Sequence, residues 1–186
     1  KNNKNIFLIN GSGVNLKKFS FKKKIPSKFT VLMISRIITS KGIDDFFEAI
    51  KIVKKKDKNI KFVFCGQRSS GVNEYNYSYF LKQIKKLKIR LHLDSLRVDK
   101  IIMNSSIVVL PTPYREGVPR SLLEAISSGR PVIGTNVPGV REVVINNWNG
   151  HLIPKNSPNK LAKFILELKN NKMNYNKFKY NSRTLA

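Results

Sequence analysis

The sequence predicts a doubly wound α/β domain, with helices on both faces of a parallel sheet of about six strands. Two observations carry that prediction. Short apolar, β-rich runs alternate six times with longer amphipathic segments along the 186 residues, and strand–helix–strand connections of this length almost always build parallel sheets. The runs are also apolar at consecutive positions, as in Ile107–Leu110 (IVVL), which suits a sheet covered on both sides rather than one half in water.

The elements follow in order. Phe29–Ser35 (FTVLMIS) is a strand that ends at Arg36. Across Gly42–Lys56, Ile43, Phe46, Phe47, Ile50 and Val53 fall at helical spacing with lysines between them. Ile60–Cys65 is a second strand, closed by Gly66. Tyr79, Phe80, Ile84 and Leu87 make the stripe of a second helix, and Leu91–Leu93 is a short third strand. Val98–Ser105 reads as a short helix and Ile107–Leu110 as a buried strand. Pro119–Ser128 is a helix stopped by Gly129, with proline near the start and glycine past the end. Pro131–Gly134 is a fifth strand, Gly139–Ile145 a helix, His151–Ile153 a short strand, and Pro158–Lys169 a helix that completes a domain over 1–169. The remaining stretch, 170–186, is polar and lysine-rich with Tyr175, Phe178 and Tyr180 interspersed. It is either a helix packed on something outside the chain or a frayed tail.

Hydrophobic residues make up 41% of the chain, which permits a core and argues against wholesale disorder. Lys and Arg number 36 against 11 Asp and Glu, a formal charge of +25. The excess is mostly lysine (27 Lys, 9 Arg), and asparagine is abundant too, at 20. Two readings stand side by side: a Lys/Asn bias from A/T-rich coding, or charge selected for an anionic partner. The single cysteine, Cys65, excludes an internal disulfide framework and a cysteine-rich zinc site, and reads as a small buried strand residue. His92 and His151 lie too far apart for metal-ligand spacing, so no metal is expected. No apolar stretch has the length to cross a bilayer. Lys1–Asn5 has no apolar signal core behind it, so no secretory signal is expected and the expected compartment is the cytoplasm.

In doubly wound sheets, ligands sit at the carboxyl ends of the strands where the strand order reverses. After the first strand comes Arg36-Ile-Ile-Thr-Ser-Lys41-Gly42. Arg36 leaves the strand end and Lys41 stands at the mouth of the following helix. Beside free backbone N–H groups they form a diphosphate clamp, or they are two more cations in a chain with 36. After the fourth strand, Glu116 in the loop and Glu124 in the helix bring two of the 11 carboxylates within eight residues, with Gly117 and Val118 between them at the helix start. Carboxylates accept from sugar hydroxyls and N–H groups take phosphate oxygens, so the set suits a polyhydroxylated, phosphorylated ligand. Taken singly, Glu124 is a solvent-facing helix residue and Glu116 a neighbour of the helix cap.

Six segments together resemble the glycosyltransferase group 1 family (family GT4). They are Gly11-Ser-Gly-Val-Asn15, Arg36-x4-Lys41-Gly42, Glu116-Gly-Val-Pro-Arg-Ser-Leu-Leu-Glu124-Ala, Gly129-Arg-Pro-Val-Ile133, Pro138-Gly139-Val-Arg-Glu142 and Asn149-Gly-His-Leu-Ile-Pro154. The resemblance runs from about residue 6 to about residue 169. It implies a GT-B arrangement, two Rossmann-like domains facing across a cleft, of which this chain resembles the carboxyl-terminal, donor-binding one. An amino-terminal acceptor domain is then a required partner, and a whole enzyme would be about twice as long.

By the same resemblance, Arg36 and Lys41 neutralise the donor diphosphate and Glu124 grips the ribose hydroxyls. Glu116 touches the transferred sugar, and Gly117, Val118 and Pro119 line the sugar and phosphate pocket through their backbones. The base lies against the segment around Leu93 to Arg97, which brings in Asp94, Arg97 and, after the second strand, Gly66. Two departures appear: Leu93-Asp94-Ser95 lacks the family's aromatic and glycine, and Gly66-Gln-Arg-Ser-Ser-Gly71 lacks its compact Gly-x-Gly-Pro form. A UDP-sugar is the expected donor and a glycan or lipid-linked acceptor its counterpart, in cell-surface polysaccharide synthesis at the inner face of the cell membrane. Transfer is expected to retain configuration and to need no metal or other cofactor, with Glu116, Arg36 and Lys41 as the catalytic set. Two other classes stay open: a basic module for an anionic surface or nucleic acid, resting on clusters such as Lys22-Lys23-Lys24 and Lys54-Lys55-Lys56, and an inactive nucleotide-binding fragment. Dispersed lysines and the lack of a nucleic-acid motif argue against nucleic acid as a partner.

Overall fold

A computed structural model describes residues 13–21, 26–71 and 73–186. Gly11, Ser12 and the Lys22-Lys23-Lys24 cluster lie outside the described residues, as does the start of the chain before residue 13. The elements are β1 (Thr30–Ile34), α1 (Ile43–Lys56), β2 (Lys61–Gly66), α2 (Tyr77–Lys86), β3 (Arg90–Leu93), α3 (Val98–Met103), β4 (Ile107–Leu110), α4 (Arg120–Ser127), β5 (Val132–Thr135), β6 (Gly150–Ile153), α5 (Pro158–Asn170) and α6 (Lys172–Leu185).

All six strands pair in parallel in the order β3-β2-β1-β4-β5-β6. The chain winds outward through β2 and β3, then returns past β1 to build the other half. The order therefore reverses between β1 and β4, where Leu32 pairs with Val108, and that is where a doubly wound sheet opens its ligand crevice. The central strands explain the continuous apolar runs: every residue of β4 and β5 is buried. One face of the sheet packs on α1, α2 and α5 through Phe46, Phe47, Phe64, Phe80 and Ile165. The other packs on α3 and α4 through Ile102, Leu122, Ala125 and Ile126.

Two sequence expectations are corrected. The segment predicted as a helix over Gly139–Ile145 is a series of turns. Its Val140, Val143 and Val144 are buried, which gives helical spacing. However, Gly139 sits at φ +84°, and the backbone closes with mixed three- and four-residue hydrogen bonds, such as Val143 N–H to Val140 C=O and Arg141 N–H to Val137 C=O. The stretch over 170–186 is a helix whose partner lies within the chain: α6 packs on α4 and α5. Tyr175 and Phe178 are buried, each worth about 1.5–3 kcal/mol. The Tyr175 hydroxyl donates to the Ser106 carbonyl at 3.0 Å, and Arg183 donates to the Ser127 carbonyl at 2.8 Å. The boundary at 169 therefore does not end the packed unit.

Among the described residues no helix is long and apolar enough to cross a membrane. Arg130, in the Gly129-Arg-Pro segment, is fully buried and donates to the Met103 carbonyl at 3.0 Å. It precedes β5 and so stands at the end of the sheet away from the crevice.

Candidate functional site

The crevice at the carboxyl ends of β1, β2 and β4 is a cleft of about 550 Å³. Its shape rests on backbone approaches that leave no room for a side chain. Gly42, at φ +73°, begins α1 so close to β4's exit that a Cβ would lie 2.0 Å from the Pro111 carbonyl oxygen. Gly66 at the end of β2 would meet the Ser35 carbonyl oxygen at 1.9 Å. Only glycine allows both contacts, and they draw the loops after β1, β2 and β4 around one space. The Thr112 hydroxyl ties two of them by donating to the Ser40 carbonyl at 2.8 Å.

Six of the residues singled out from sequence line this cleft: Arg36, Lys41, Gly66, Asp94, Glu116 and Pro119. Arg36 is exposed at the end of β1 and, among the described residues, has no ion pair. Lys41 and Glu116, 75 residues apart, form a half-buried ion pair in which Lys41 Nζ donates to Glu116 Oε1 at 2.5 Å. The pair is only 17% and 16% exposed, so it is less screened than a surface pair. The Glu116 loop is buttressed from behind: its N–H donates to the Pro138 carbonyl at 3.2 Å. A Cβ on Gly139 would sit 2.3 Å from the carbonyl oxygens of Glu116 and Gly117. The turn that replaced the expected helix is thus what holds the carboxylate in place.

The start of α4 opens on the same cleft. Pro119 is its N-cap and supplies no side-chain cap, and Arg120 and Ser121 line the cleft beside it. Helix-start N–H groups left without a capping side chain suit an anion. Glu124 lies outside the cleft wall, one turn behind Arg120 and 3.8 Å from its guanidinium. Burial pushes its carboxyl above the usual range, opposed by the charges of Arg120 and Lys18. Burial, with Glu124's charge adding to it, raises the thiol of Cys65, which lines the cleft.

The remaining expected residues lie elsewhere. Gly117 and Val118 line a neighbouring cleft of about 800 Å³ that also takes in Gly139 and Glu142. Glu116 borders both clefts. Arg97 lines a groove beyond Ser95 and pairs with Asp99 at 3.6 Å. Ser95 and Leu96, within the segment expected to meet the base, also line the cleft, whereas sequence reasoning missed Arg120 and Cys65 there. Of these Arg120 was findable, since it stands four residues before Glu124 and so shares its helix face. Leu96 is 89% exposed at the rim.

The profile of the glycosyl transferases group 1 family matches residues 15–185. An N,N'-diacetylbacillosaminyl-diphospho-undecaprenol alpha-1,3-N-acetylgalactosaminyltransferase from Campylobacter jejuni is 31% identical over 192 aligned residues, covering 95% of this chain and 48% of that protein. A crystal structure of a Staphylococcus aureus TarM variant with UDP, fondaparinux and alpha-GlcNAc-glycerol superposes with a TM-score of 0.84 at 28% identity, over 100% of this chain and 36% of that one. The carboxyl-terminal domain of a glycosyl transferase group 1 family protein (LpcC) from Francisella tularensis gives a TM-score of 0.80 over 93% of this chain and 96% of that one. At 23% identity it shows the fold alone. The chain spans between 38% and 48% of the length of the first curated relatives it matches. A six-stranded sheet that reverses between β1 and β4, a profile match across nearly the whole described chain and this set of relatives lead to one conclusion: the chain belongs to the glycosyl transferases group 1 family, with the fold of a carboxyl-terminal GT-B domain.

Proposed function

We propose that this chain is the donor-binding half of a retaining glycosyltransferase that passes a hexosyl group from a UDP-sugar to a glycan or lipid-linked acceptor held by an amino-terminal domain. The observation that carries the reading is the Lys41–Glu116 pair at the switch point, with Arg36 and the uncapped start of α4 on the same cleft. Lys41 is neutralised by Glu116. A bound diphosphate competes for the ammonium, and Glu116 becomes free to accept from a hydroxyl of the sugar.

As the bond from sugar to diphosphate breaks, negative charge builds on the leaving phosphate. Arg36, Lys41 and the N–H groups of α4 are fixed where that charge develops, which is electrostatic preorganisation. Each charge-assisted hydrogen bond contributes about 1.5–3 kcal/mol. No metal is required in this scheme, because cations of the chain meet the phosphate charge. The setting we propose is the cytoplasmic side of an anionic membrane, with scattered lysines meeting a fluid, delocalised surface. Calorimetry with UDP, with and without a chelator, tests the core of the reading. We expect binding in both conditions, and binding lost on chelation rejects the metal-free scheme. Equal flotation with anionic and neutral vesicles rejects the membrane setting.

A further inference from the structure

The sheet ends at β3, whose Arg90 is exposed and His92 half-buried. In-register pairing sets Arg90 beside Val63 and His92 beside Cys65, on the face where Val63 and Cys65 join the α3/α4 core. A groove of about 760 Å³ is lined by these strands, by α3 and by the segments leading into β1, β2 and β3. Eight of its eighteen lining residues are Lys or Arg and none is Asp or Glu, whereas the chain as a whole has 36 Lys and Arg among 186 residues. The cations come from separate elements: Lys61 and Arg90 from the sheet, Lys100 from α3, Lys28 ahead of β1, Lys54 from the end of α1 and Lys88 between α2 and β3.

Of the eight, Arg97 alone among the described residues has a carboxylate partner, Asp99. Lys54 donates to the Leu87 carbonyl, and burial, with the charge of Lys88 added, lowers its ammonium below the usual lysine range. Like charges gathered around one concavity repel, and an entering anion removes that repulsion. We propose that this groove is a second anion site, separate from the donor cleft, that takes a linear multi-phosphate anion of the tripolyphosphate class.

Shape selects this class over two others. The eight cations are spread around a concavity rather than over one flat face, which suits a compact polyanion better than a planar bilayer. The one aromatic ring of Phe, Tyr or Trp type in the lining, Phe62, is 2% exposed, so no platform exists on which nucleic-acid bases could stack. Arg36, Lys41 and Arg120 of the donor cleft are absent from the groove, and the two spaces share Ser95 alone.

The test is calorimetric titration of the full chain with tripolyphosphate. A groove variant, Lys61→Gln with Arg90→Gln and Lys100→Gln, changes three exposed side chains and should weaken binding by about tenfold or more. A control with the same charge loss, Lys160→Gln with Lys172→Gln and Lys177→Gln on exposed positions of α5 and α6, should bind within about twofold of wild type. The donor-cleft variant Arg36→Gln should also retain the groove titration. Thermal melting checks that every variant is folded. Equal losses in groove and control variants, or loss in Arg36→Gln with the groove variant unaffected, overturn the proposal. So does a groove variant that keeps tripolyphosphate but releases phosphatidylglycerol vesicles, which would assign the groove to a membrane.

Discussion

The cleft proposed for the donor sets three cations, Arg36, Lys41 and Arg120, against two carboxylates, Asp94 and Glu116, while the adjoining groove sets eight cations against none. The two spaces touch at Ser95 and are built differently. The cleft is made by backbone: Gly42 against Pro111, Gly66 against Ser35, Gly139 against Glu116 and Gly117. The groove is made by side chains standing on strands and helix ends. On the proposed reading the cleft binds and then releases a charged leaving group, and an internal counter-ion suits that, since Glu116 could take Lys41 back when the product leaves. A groove without one holds its anion by net charge alone. The two should therefore break under different changes.

The largest effect is expected from the backbone of the cleft. Gly42→Ala puts a Cβ 2.0 Å from the Pro111 oxygen at a φ of +73°. Positive-φ strain and overpacking each cost about 1–3 kcal/mol, so a loss of roughly 3 kcal/mol should appear as a lower urea midpoint. The triple groove variant should stay within about 0.5 kcal/mol of wild type, as exposed substitutions usually do. Equal midpoints for Gly42→Ala and wild type would show that the cleft does not rest on that approach.

Next comes charge inside the cleft. Lys41→Gln removes a cation proposed to meet the diphosphate and leaves Glu116 half-buried without its partner. One charge-assisted hydrogen bond at about 1.5–3 kcal/mol corresponds to a tenfold to hundredfold weaker UDP affinity, measured by calorimetry. Lys61→Gln, in the groove, should leave UDP binding unchanged. A comparable loss from Lys61→Gln would mean that the two spaces act as one electrostatic site.

How much of this was legible in the sequence depends on range. Strands and most helices were, because Ile43, Phe46, Phe47, Ile50 and Val53 or the run IVVL carry their period locally. The helix expected over Gly139–Ile145 misled because Val140, Val143 and Val144 share one buried side without a helical backbone, and period alone cannot separate the two. In α6, Tyr175, Phe178, Lys179 and Ser182 are buried at helical spacing, but two of those four are polar, so the stripe was hard to see. Arg36, Lys41 and Glu116 were each readable as ligand-facing from their position after a strand. Their pairing was not: an ion pair across 75 residues depends on the sheet bringing β1 and β4 together, and no local pattern encodes it.

The two glutamates give a smaller and more selective effect. Glu116→Gln should depress turnover in the whole enzyme while UDP affinity holds or rises, since Lys41 is no longer shared. Glu124→Gln should weaken UDP and UDP-sugar alike, by about threefold to tenfold. Burial raises the Glu124 carboxyl, so the folded chain holds that proton more tightly than the unfolded one. Wild-type UDP affinity should therefore fall as pH drops through the raised pKa, and the Gln variant should be flat. Stability runs the other way. The neutral form favours folding below that pKa, and the gain is lost as pH rises through it, so Glu124→Gln should be no less stable than wild type at pH 8. Reversed roles for the two variants would turn the donor end for end across the strand ends.

The smallest expected effect is that of salt on UDP binding, and it separates the two sites most directly. Binding that neutralises several unpaired cations displaces their counter-ions and weakens steeply as salt rises. In the exchange proposed for the cleft, Lys41 gives up one carboxylate for one phosphate, so the number of ions displaced from it should hardly change. Raising sodium chloride from about 0.05 to 0.5 M should weaken UDP by about twofold to threefold and tripolyphosphate in the groove by tenfold or more. Glu116→Gln removes the internal counter-ion and should make the cleft resemble the groove, with UDP tighter at low salt and its salt dependence steeper. If wild type and Glu116→Gln show the same slope, the Lys41–Glu116 pair is not what the diphosphate displaces, and the exchange proposed for the cleft fails while Arg36 and the start of α4 remain as its anion contacts.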